Sequence, residues 1–402
     1  MTPLPIRDQT TAELLDFHSD GFRTDPWPVY RTLRSTEPVY WSAEARAFLL
    51  LKHADVADAL VDHRLVTDFP MRTSRRLFGP TIMDTDGAKH RQLRRLFTPL
   101  FGGGAVRRLH VHLISSVVDQ VLDTVDGHDE VDFMRQIAVP VPYGVITRLL
   151  GLPPADAEWL RQRVVPLAGA IDFPSVPLET ARVAKAELTD YLADLVADWP
   201  GGDRPTLVDL LIRHSAQPAD PGLLSMVILF LLAGTETSVS TIGTIMHTLL
   251  RHGITPAALL DGDFRQAAVW ETLRWEPPTH SILRYAAADI EIREVRIPRH
   301  SAVLLSLASG NRDDEAFTDP DTWRPGRRER KSLSFGAGPH ACLGIHLALA
   351  EFDVLFERLA TRYVNIRHSG QPARLYGHGF RRPDHLMLRW DPSNHERSNE
   401  KL

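Results

Sequence analysis

The 402-residue sequence contains a single cysteine, Cys342, so no disulfide can form within the chain. Nothing therefore indicates an oxidising compartment. The net charge is only −5, with no basic excess, which argues against a nucleic-acid-binding protein. No Gly/Ser linker, internal repeat or low-complexity tract divides the chain. We predict one domain over residues 1–390 and a polar, frayed tail over residues 391–402.

A hydrophobic run long enough to cross a bilayer is also missing. The N-terminal residues lack the basic start and apolar stretch of a signal peptide. The apolar run from Leu223 ends at Gly234, short of the ~20 residues that a membrane span needs. Glu236 follows, where a bilayer would penalise a charge. We expect a long buried helix over Leu223 to Leu250 in a cytoplasmic protein that does not contact a membrane.

Strand patterns are few in this sequence. Most segments space apolar residues three and four apart, which indicates helices. Strand-like stretches are confined to residues 38–51 and to a patch around residues 290–307. In the second patch Ile290, Ile292 and Val295 belong to an alternation with charged residues that predicts a half-exposed hairpin. The fold class expected is mainly α with small β-sheets (α+β).

Cys342 lies in the stretch FGAGPHACLG, before a segment that repeats apolar residues at steps of four, three and four. This spacing predicts a helix face made of Leu343, Leu347, Ala350 and Val354. A cysteine at the start of a helix is favoured as a thiolate by the positive end of the helix dipole. The glycines of the loop would let its backbone approach a flat, bulky partner. These glycines are Gly336, Gly338 and Gly344.

Three interpretations of Cys342 stay open on the residues alone. It can be a buried structural thiol, which is the commonest role of a free cysteine. It can be a nucleophile, with His340 or His346 as its base. It can be a metal ligand, because some haem proteins use one thiolate. A zinc site is disfavoured, since the sequence has no second cysteine.

The loop resembles the haem-binding loop of the cytochrome P450 family, F-x-x-G-x-[H/R]-x-C-x-G, at every fixed position. The matching residues are Phe335, Gly338, His340, Cys342 and Gly344. The resemblance implies that Cys342 is the axial ligand of haem b, iron protoporphyrin IX. It also implies that Phe335 packs beside the sulfur and that His340 meets a haem propionate. The implied fold places the haem between the long central helix and the helix after the cysteine loop.

The stretch AGTETS, residues 233–238, places glycine, threonine and glutamate in the middle of an apolar helix, which is costly. An acid beside an alcohol can relay protons. The alternative is a polar kink that another chain element satisfies. The stretch is similar to the family's central-helix signature. That similarity implies that Glu236 and Thr237 deliver protons to bound oxygen and that Ala233 lies against the haem.

A second polar constellation follows in DFRQAAVWETLRWEPP, where Asp263 and Gln266 resemble a capping box. Glu271 and Arg274 are three apart and share a helix face. By themselves they indicate only a solvated ion pair. Their place in the chain resembles the family's E-x-x-R, and Arg327 matches the arginine that joins it. The resemblance implies a buried structural network without a catalytic role.

His90 and Arg94 stand four apart in GAKHRQLRRLF, which alone predicts a basic surface helix. The segment resembles the family's H-x-x-x-R helix, and Arg284 matches a further arginine of the family. The resemblance implies that these residues and His340 bind the haem propionates through charge-assisted hydrogen bonds.

In this order along the chain, the motifs are those of a soluble bacterial haem-thiolate monooxygenase. The resemblance implies that dioxygen is used to hydroxylate, or otherwise oxidise, a small organic substrate. No G-x-G-x-x-G fingerprint follows a strand, and the length leaves no room for a fused reductase. We therefore expect ferredoxin and ferredoxin reductase as partners. The basic stretch of residues 324–331 and Arg95 can steer an acidic carrier, or can be merely solvated.

The substrate pocket implied by the resemblance is lined by residues of the central helix and of the segment after E-x-x-R. These are Phe230, Ala233, Thr279, His280 and Ile282, with loops near residues 67–83, 168–176 and 378–380. His280 is predicted either to recognise a polar substrate group or to face solvent. Such a pocket suits a moderately apolar natural-product intermediate. The rival functions are a haem sensor or carrier and a haem-free cysteine hydrolase.

Two departures from the family pattern concern loops. The hairpin around residues 290–297 lacks the usual glycines, and FGGGAV, residues 101–106, is unusually rich in them. We expect the latter to be a flexible connection rather than a phosphate loop.

Overall fold

The computed structural model describes residues 15–171, 176–197, 199, 206–214, 220–329 and 332–393. Residues 1–14 and most of the predicted polar tail, residues 394–402, therefore lie outside the described residues. The α-helices are α1 Asp20–Thr24, α2 Trp27–Thr36, α3 His53–Val61, α4 Thr73–Phe78, α5 Gly87–Phe101, α6 Gly103–Ala105, α7 Val111–Asp123, α8 Pro140–Leu150, α9 Ala157–Ile171, α10 Leu178–Ala197, α11 Leu207–His214, α12 Pro221–Arg251, α13 Pro256–Leu259, α14 Gly262–Trp275, α15 Leu307–Asn311 and α16 Ile345–Arg362.

The strands form small sheets at the side of this helical body. They are β1 Val39–Ser42, β2 Ala47–Leu50, β3 Leu65–Val66, β4 Val131–Asp132, β5 Ser281–Ala286, β6 Ile290–Ile292, β7 Val295–Ile297, β8 Ala302–Ser306, β9 Tyr363–His368, β10 Leu375–Tyr376, β11 Arg382–Pro383 and β12 Met387–Pro392. The largest sheet has the order β1-β2-β8-β5-β3, and a second has the order β4-β12-β9. This architecture confirms the predicted class of mainly α with small sheets.

The long central helix α12 confirms the prediction for Leu223 to Leu250. It begins where the Asp220 side chain accepts hydrogen bonds from the backbone N–H groups of Gly222 and Leu223, and Pro221 is suited to the first turn. By length and composition α12 can cross a membrane, but 78% of its most apolar 18-residue segment is buried in the protein. It is therefore the core helix of the fold, and α8, α9, α10 and α14 pack around it.

The hairpin of β6 and β7 forms without the glycines that its turn would favour. Arg293 and Glu294 occupy the turn with φ of 49° and 63°, in the left-handed region. Ile290 and Ile297 are buried, as the alternation predicted. The departure from the family pattern therefore changes the turn residues and leaves the hairpin intact.

Two local predictions are wrong. The stretch after α5 is not a flexible connection, because α6 and a π-helical turn, Val106–His110, continue the helix into α7. Strand β12 extends through Pro392, and the Ser393 N–H donates to the Arg362 carbonyl at 2.8 Å. The first residues of the predicted tail are thus ordered in a sheet. The predicted helix after Cys342 is confirmed as α16; on its predicted face Ala350 and Val354 are half-buried against the core, whereas Leu355 and the neighbouring Phe356 are fully buried.

The predicted capping box of Asp263 and Gln266 is also wrong. The N-cap of α14 is Asp261, whose carboxylate accepts from the N–H groups of Asp263 and Phe264 at 2.9 and 3.3 Å. Asp263 instead lies in the first turn of α14, where its negative charge interacts only weakly with the positive end of the helix dipole.

Replacing the cap tests this correction. We expect Asp261→Ala to lower the free energy of unfolding by about 1 kcal/mol, because two backbone donors lose their acceptor. Asp263→Ala is the matched control and should cost at most about 0.5 kcal/mol. Denaturant unfolding of both variants measures the difference, and the reverse ranking would restore the capping box.

Candidate functional site

The cysteine loop ends where α16 begins, with Gly344 as its N-cap. The Cys342 N–H donates to the Phe335 carbonyl at 2.8 Å, and the Cys342 side chain is exposed. The surrounding protein nevertheless displaces much of the water around the thiol and raises its pKa, although hydrogen bonds from the Gly344 and Ile345 N–H groups oppose this. The predicted bias toward thiolate at the helix N-terminus is therefore present, but in the free thiol burial outweighs it.

One glycine of the cysteine loop, Gly338, is required by the packing of the protein itself. Gly336 and Gly338 have φ of +65° and +67°, which other residues rarely adopt. A Cβ at Gly338 would lie 2.9 Å from Val61 Cγ1 and 3.1 Å from the Leu60 carbonyl. Gly338 is thus required by contact with α3, and the expectation that the loop glycines let the backbone approach a flat partner stays a prediction.

The central helix separates the predicted acid and alcohol. Ala233 is exposed and Thr237 is half-buried, although most of α12 is buried. The Thr237 hydroxyl donates to the Ala233 carbonyl at 2.9 Å. Glu236 is buried and accepts hydrogen bonds from the Tyr143 hydroxyl and the Arg382 guanidinium, both at 2.9 Å. Glu236 therefore receives its hydrogen bonds from other elements of the chain, as expected if AGTETS were only a polar kink. Its role in proton relay stays a prediction.

The predicted propionate residues of α5 lie beside the cysteine loop. His90 is buried, and no described residue hydrogen-bonds its Nε2. Burial, reinforced by the nearby His340 ring at 4.1 Å, lowers the pKa of His90 to about 4. Arg94 donates from Nη1 to the Ala341 carbonyl at 2.6 Å, and burial lowers its pKa. The sequence alone predicted a solvated surface helix. In the structure the face of α5 that carries His90 and Arg94 is instead buried or half-buried.

Arg284 is a buried cation on β5. Its only described hydrogen bond goes from Nη1 to the adjacent Leu283 carbonyl at 3.0 Å. Burial and, next, repulsion from Arg72 lower the pKa of Arg284 to about 10. Across the described part of the chain, no carboxylate oxygen lies within 4.0 Å of Arg284 or Arg94. Arg72, which the sequence reasoning missed, differs because its Nε lies 3.4 Å from Asp84.

His340 behaves differently from these cations. Its Nε2 lies 3.0 Å from the Asp86 carboxylate and 3.5 Å from the Thr67 hydroxyl. Burial raises the pKa of Asp86, but the hydrogen bonds from His340 and from backbone N–H groups outweigh it and lower the pKa. The structure therefore pairs His340 with the protein's own carboxylate, and its propionate role stays a prediction.

The set without counter-charge fits an anionic group. His90, Arg94 and Arg284 offer an imidazole and two guanidiniums; within the described residues no carboxylate oxygen lies within 4.0 Å of either guanidinium, although Asp86 is near enough to favour the charged forms of Arg284 and His90. Guanidiniums bind carboxylates in strong, charge-assisted pairs. The donor set and the exposed Cys342 therefore match a haem with its two propionates.

The E-x-x-R residues form a separate network. Arg274 donates to both oxygens of Glu271 at 2.7 and 2.8 Å, and Arg327 donates to Oε1 at 2.7 Å. The Arg324 N–H donates to the same oxygen at 2.8 Å. All three side chains of the motif are 3–4% exposed, so the structure joins them in the interior rather than at the surface.

The predicted pocket residues do not share one environment. Phe230 is buried against Phe97 and Phe101, with ring centroids at 4.7 and 5.7 Å. Thr279 is half-buried in an isolated bridge to Gly379, and Ile282 is half-buried within β5 of the largest sheet, where it pairs with Leu305.

His280 is fully buried, so its alternative as a solvent-facing loop histidine is wrong. Its Nδ1 lies 3.4 Å from the Tyr30 hydroxyl, and its ring packs on Trp27 and His378. Burial, reinforced by the neighbouring His378, lowers the pKa of His280 well below its usual range. Its position against α2 comes from contacts that no local pattern announces.

Glu351 is a buried acid that the sequence reasoning missed. Its Oε1 has no hydrogen-bond partner in the described structure, and burial raises its pKa to about 8. Leu347, Glu351 and Leu355 are spaced four apart on one buried stripe of α16. An acid within an apolar stripe was the available signal.

The raised pKa of Glu351 predicts a pH-dependent stability. Between pH ~4.3, the ordinary pKa of a glutamate, and a pH of about 8, Glu351 keeps a proton in the folded protein that it loses in the unfolded chain. Stability should therefore fall as pH rises through this window, and Glu351→Gln should remove that loss. We expect the melting temperature of the parent protein to fall more than that of Glu351→Gln between pH 5 and 9. Glu357→Gln, on the same helix, is the control, and parallel curves would contradict the assignment.

A surface groove lies behind the cysteine loop. Its volume is about 430 Å³, and it is lined by Val106, Arg107, Trp270, His346 and Val354 among others. Trp270 is 40% exposed and meets Phe335 edge-on with ring centroids 5.6 Å apart. The groove thus connects the surface to the cysteine loop through two aromatic rings.

Comparison with known proteins agrees with this site. A family model for cytochrome P450 matches residues 263–376, which include E-x-x-R and the cysteine loop. Cytochrome P450 107B1 of Saccharopolyspora erythraea is 31% identical over 388 residues, covering 90% of this chain and 94% of that protein. The monooxygenase PikC of Streptomyces venezuelae is 31% identical over 387 residues, covering 91% of each chain. The crystal structure of P450BioI with an acyl carrier protein ligated to hexadec-9Z-enoic acid has a TM-score of 0.85 and 27% identity, covering 92% of this chain and 100% of that one.

Proposed function

This chain belongs to the cytochrome P450 family of haem-thiolate monooxygenases, and on that premise we propose that Cys342 is its axial haem ligand and that it hydroxylates a small organic substrate. The observation that carries the proposal is the exposed Cys342 together with two guanidiniums, Arg94 and Arg284, whose described hydrogen bonds go only to backbone carbonyls. A cysteine hydrolase does not require these buried guanidiniums, whereas the propionates of haem b would supply the negative charge that pairs with them.

Each residue of the site has a distinct task in this proposal. When bound, the haem supplies the activation of dioxygen that no side chain can provide. Arg94 and Arg284 bind the propionates, and His90 donates or accepts at its buried, unpartnered Nε2. Cys342 donates electron density as a thiolate, which iron binding favours although burial of the free thiol opposes it.

Thr237 and Glu236 are assigned to proton delivery. Thr237 is half-buried next to the exposed Ala233, so its hydroxyl can hold water on the site side of α12. Glu236 can donate a proton toward that hydroxyl only after its hydrogen bonds with Tyr143 and Arg382 break. The charge network of Glu271, Arg274 and Arg327 holds the fold and moves no proton.

The absorption spectrum of the reduced, CO-bound protein tests the ligand. We expect a thiolate-type, red-shifted Soret band, and its loss in Cys342→Ala. A colourless preparation would favour the hydrolase alternative and sink the proposal. Product formed with a redox partner then separates a monooxygenase from a haem sensor or carrier.

Replacing Thr237 tests the proton assignment. In Thr237→Ala the water-binding hydroxyl is lost, so reducing equivalents should appear as hydrogen peroxide instead of oxidised product. We expect the peroxide formed per NADPH to rise by about tenfold; this is less than the usual contribution of such groups because the ratio cannot exceed one peroxide per NADPH. Thr241→Ala, one turn along α12, is the control. Unchanged coupling in Thr237→Ala would contradict the role.

For the substrate we propose a moderately apolar natural-product intermediate, either free or attached to a carrier protein. The similar P450BioI structure contains a carrier-bound fatty acid, which supports the second form as a candidate. The half-buried Thr279 and Ile282 and the exposed Ala233 support an apolar pocket with a few polar groups.

For the electron donor we propose a ferredoxin with its reductase. Arg107 lines the groove behind the cysteine loop, and Arg95 and Arg108 are exposed at nearby positions of the chain. Arg327 does not contribute, since its side chain belongs to the buried network, and residues 330–331 lie outside the described structure. The arginines can steer an acidic carrier toward Trp270.

Charge reversal tests this surface. We expect Arg107→Glu to raise the KM for ferredoxin several-fold at low salt with little effect on the CO-bound spectrum, because steering acts on encounter. The distant Arg389→Glu on β12 is the control. Equal KM values for the two variants would remove the groove from the docking surface.

A further inference from the structure

Trp270 on α14 is an exposed aromatic side chain beside the cysteine loop. Its indole is 40% exposed, and its ring meets the Phe335 ring edge-on with centroids 5.6 Å apart. Edge-on pairs at this separation are favourable contacts. Among the described residues, the other exposed large aromatic side chain is Trp41 on β1, which packs on Phe48 instead. Trp270 is therefore the exposed aromatic residue that contacts the loop of Cys342.

The Phe335 side of this contact leads to the cysteine. The Phe335 carbonyl accepts a hydrogen bond from the Cys342 N–H at 2.8 Å. A path that starts at the indole of Trp270 therefore has one ring-to-ring contact, the covalent bonds of Phe335 and one hydrogen bond before it reaches Cys342. Every step of this path is a bond or a contact within the protein.

The spacing between the two rings is fixed by contacts on both sides. On α14, Glu271 is adjacent to Trp270 and is held in the buried E-x-x-R network. In the loop, the Ser334 hydroxyl donates to the Leu273 carbonyl of α14 at 2.6 Å. Ser334 precedes Phe335, so this hydrogen bond ties the loop directly to the helix that carries Trp270. The two rings therefore meet without any rearrangement of the scaffold.

The groove that Trp270 lines has a glycine in its wall. Gly103 also lines the groove, and a Cβ at this position would lie 3.3 Å from the His346 Nδ1. The glycine therefore lets the His346 ring pack against α6 and adds no side chain to the groove. This gives the unusual FGGGAV sequence a role in keeping the groove open beside the indole.

Positive charge in the groove is not balanced by the acid that shares it. Arg107 lines the groove, and no carboxylate oxygen of the described residues lies within 4.0 Å of its guanidinium. Asp353, the acid of the groove, instead accepts a hydrogen bond from Arg265 Nε at 2.7 Å. The groove beside Trp270 therefore attracts an acidic partner.

We propose that Trp270 is a positioning residue for electron entry. A reduced [2Fe–2S] ferredoxin docks at this groove, and its electron passes through the indole, the Phe335 ring and the hydrogen bond between Phe335 and Cys342. The iron–sulfur cluster is oxidised by one electron, and the haem iron behind Cys342 is reduced by one electron. No bond forms or breaks, no proton moves, and Trp270 is not itself oxidised, because the electron tunnels through it. The inference rests on the proposed function, since it names the route from the proposed donor to the proposed haem.

The holoprotein tests this route when it is mixed with a pre-reduced [2Fe–2S] ferredoxin under CO. The appearance of the CO-bound Soret band at increasing ferredoxin concentrations gives a limiting rate and a half-saturating concentration. We expect Trp270→Leu to lower the limiting rate several-fold, because it keeps apolar bulk but removes the ring that contacts Phe335. Trp270→Phe keeps a ring and should restore most of the rate.

Three controls separate the route from docking and from damage to the haem site. The dissociation constant for oxidised ferredoxin, measured by calorimetry, and the midpoint potential of the haem should be unchanged in Trp270→Leu. Arg107→Glu should show the reverse pattern, a weaker complex with an unchanged limiting rate, because steering acts on encounter. Trp41→Leu removes an indole that is 41% exposed on β1, and it should change neither the rate nor the dissociation constant.

The outcomes are distinct. A limiting rate in Trp270→Leu equal to that of the parent, a change confined to the dissociation constant, or a Trp270→Phe rate no higher than that of Trp270→Leu overturns the electron route. In each of these cases the CO-bound spectrum after reduction with dithionite still supports the haem-thiolate site. A parent protein without that spectrum overturns the proposed function itself, and the route with it.

Discussion

Positive charge held inside the protein without a counter-charge is the constraint on which this site depends. Arg284 is buried on β5 with only a neighbouring carbonyl as acceptor, and Arg94 is half-buried with one carbonyl. Burying an unpaired cation is costly, so such an arrangement calls for an anion. The cost is visible in the pKa of Arg284, which burial lowers to about 10. A bound dianion between these residues removes the cost and explains why the chain maintains it.

Two other buried groups of the described residues pair every charge they contain. Glu271 binds Arg274 and Arg327, and Glu276 binds Arg312 and Arg381 at 3.1 and 2.5 Å. These networks join α14 to the loop before the cysteine and to β11. They stabilise a scaffold because every carboxylate has its cation. The contrast between a paired scaffold and an unpaired site separates structural from functional charge in this protein.

Much of the fold and the identity of the site could be predicted from the sequence. The long helix α12, the hairpin of β6 and β7 and the helix after Cys342 follow local periodicity, which the residues carry themselves. The family resemblance placed the cysteine loop, and the comparisons confirm the family.

What could not be predicted depends on contacts between distant residues. Glu236 is bound by residues 93 and 146 positions away, and His280 meets Tyr30 from 250 positions away. The α14 cap was misplaced by two residues because Asp261 and Asp263 are chemically equivalent as candidates. No short window distinguishes such cases, since tertiary contacts decide them.

The account's central claim is that the cations beside Cys342 bind the two carboxylates of haem. Its most direct test is a titration of the haem-free protein with haem and with haem dimethyl ester, in which both propionates are neutral. We predict that the ester binds at least about tenfold more weakly, and that Arg284→Met removes most of the difference. Equal affinity for haem and its ester would contradict the claim.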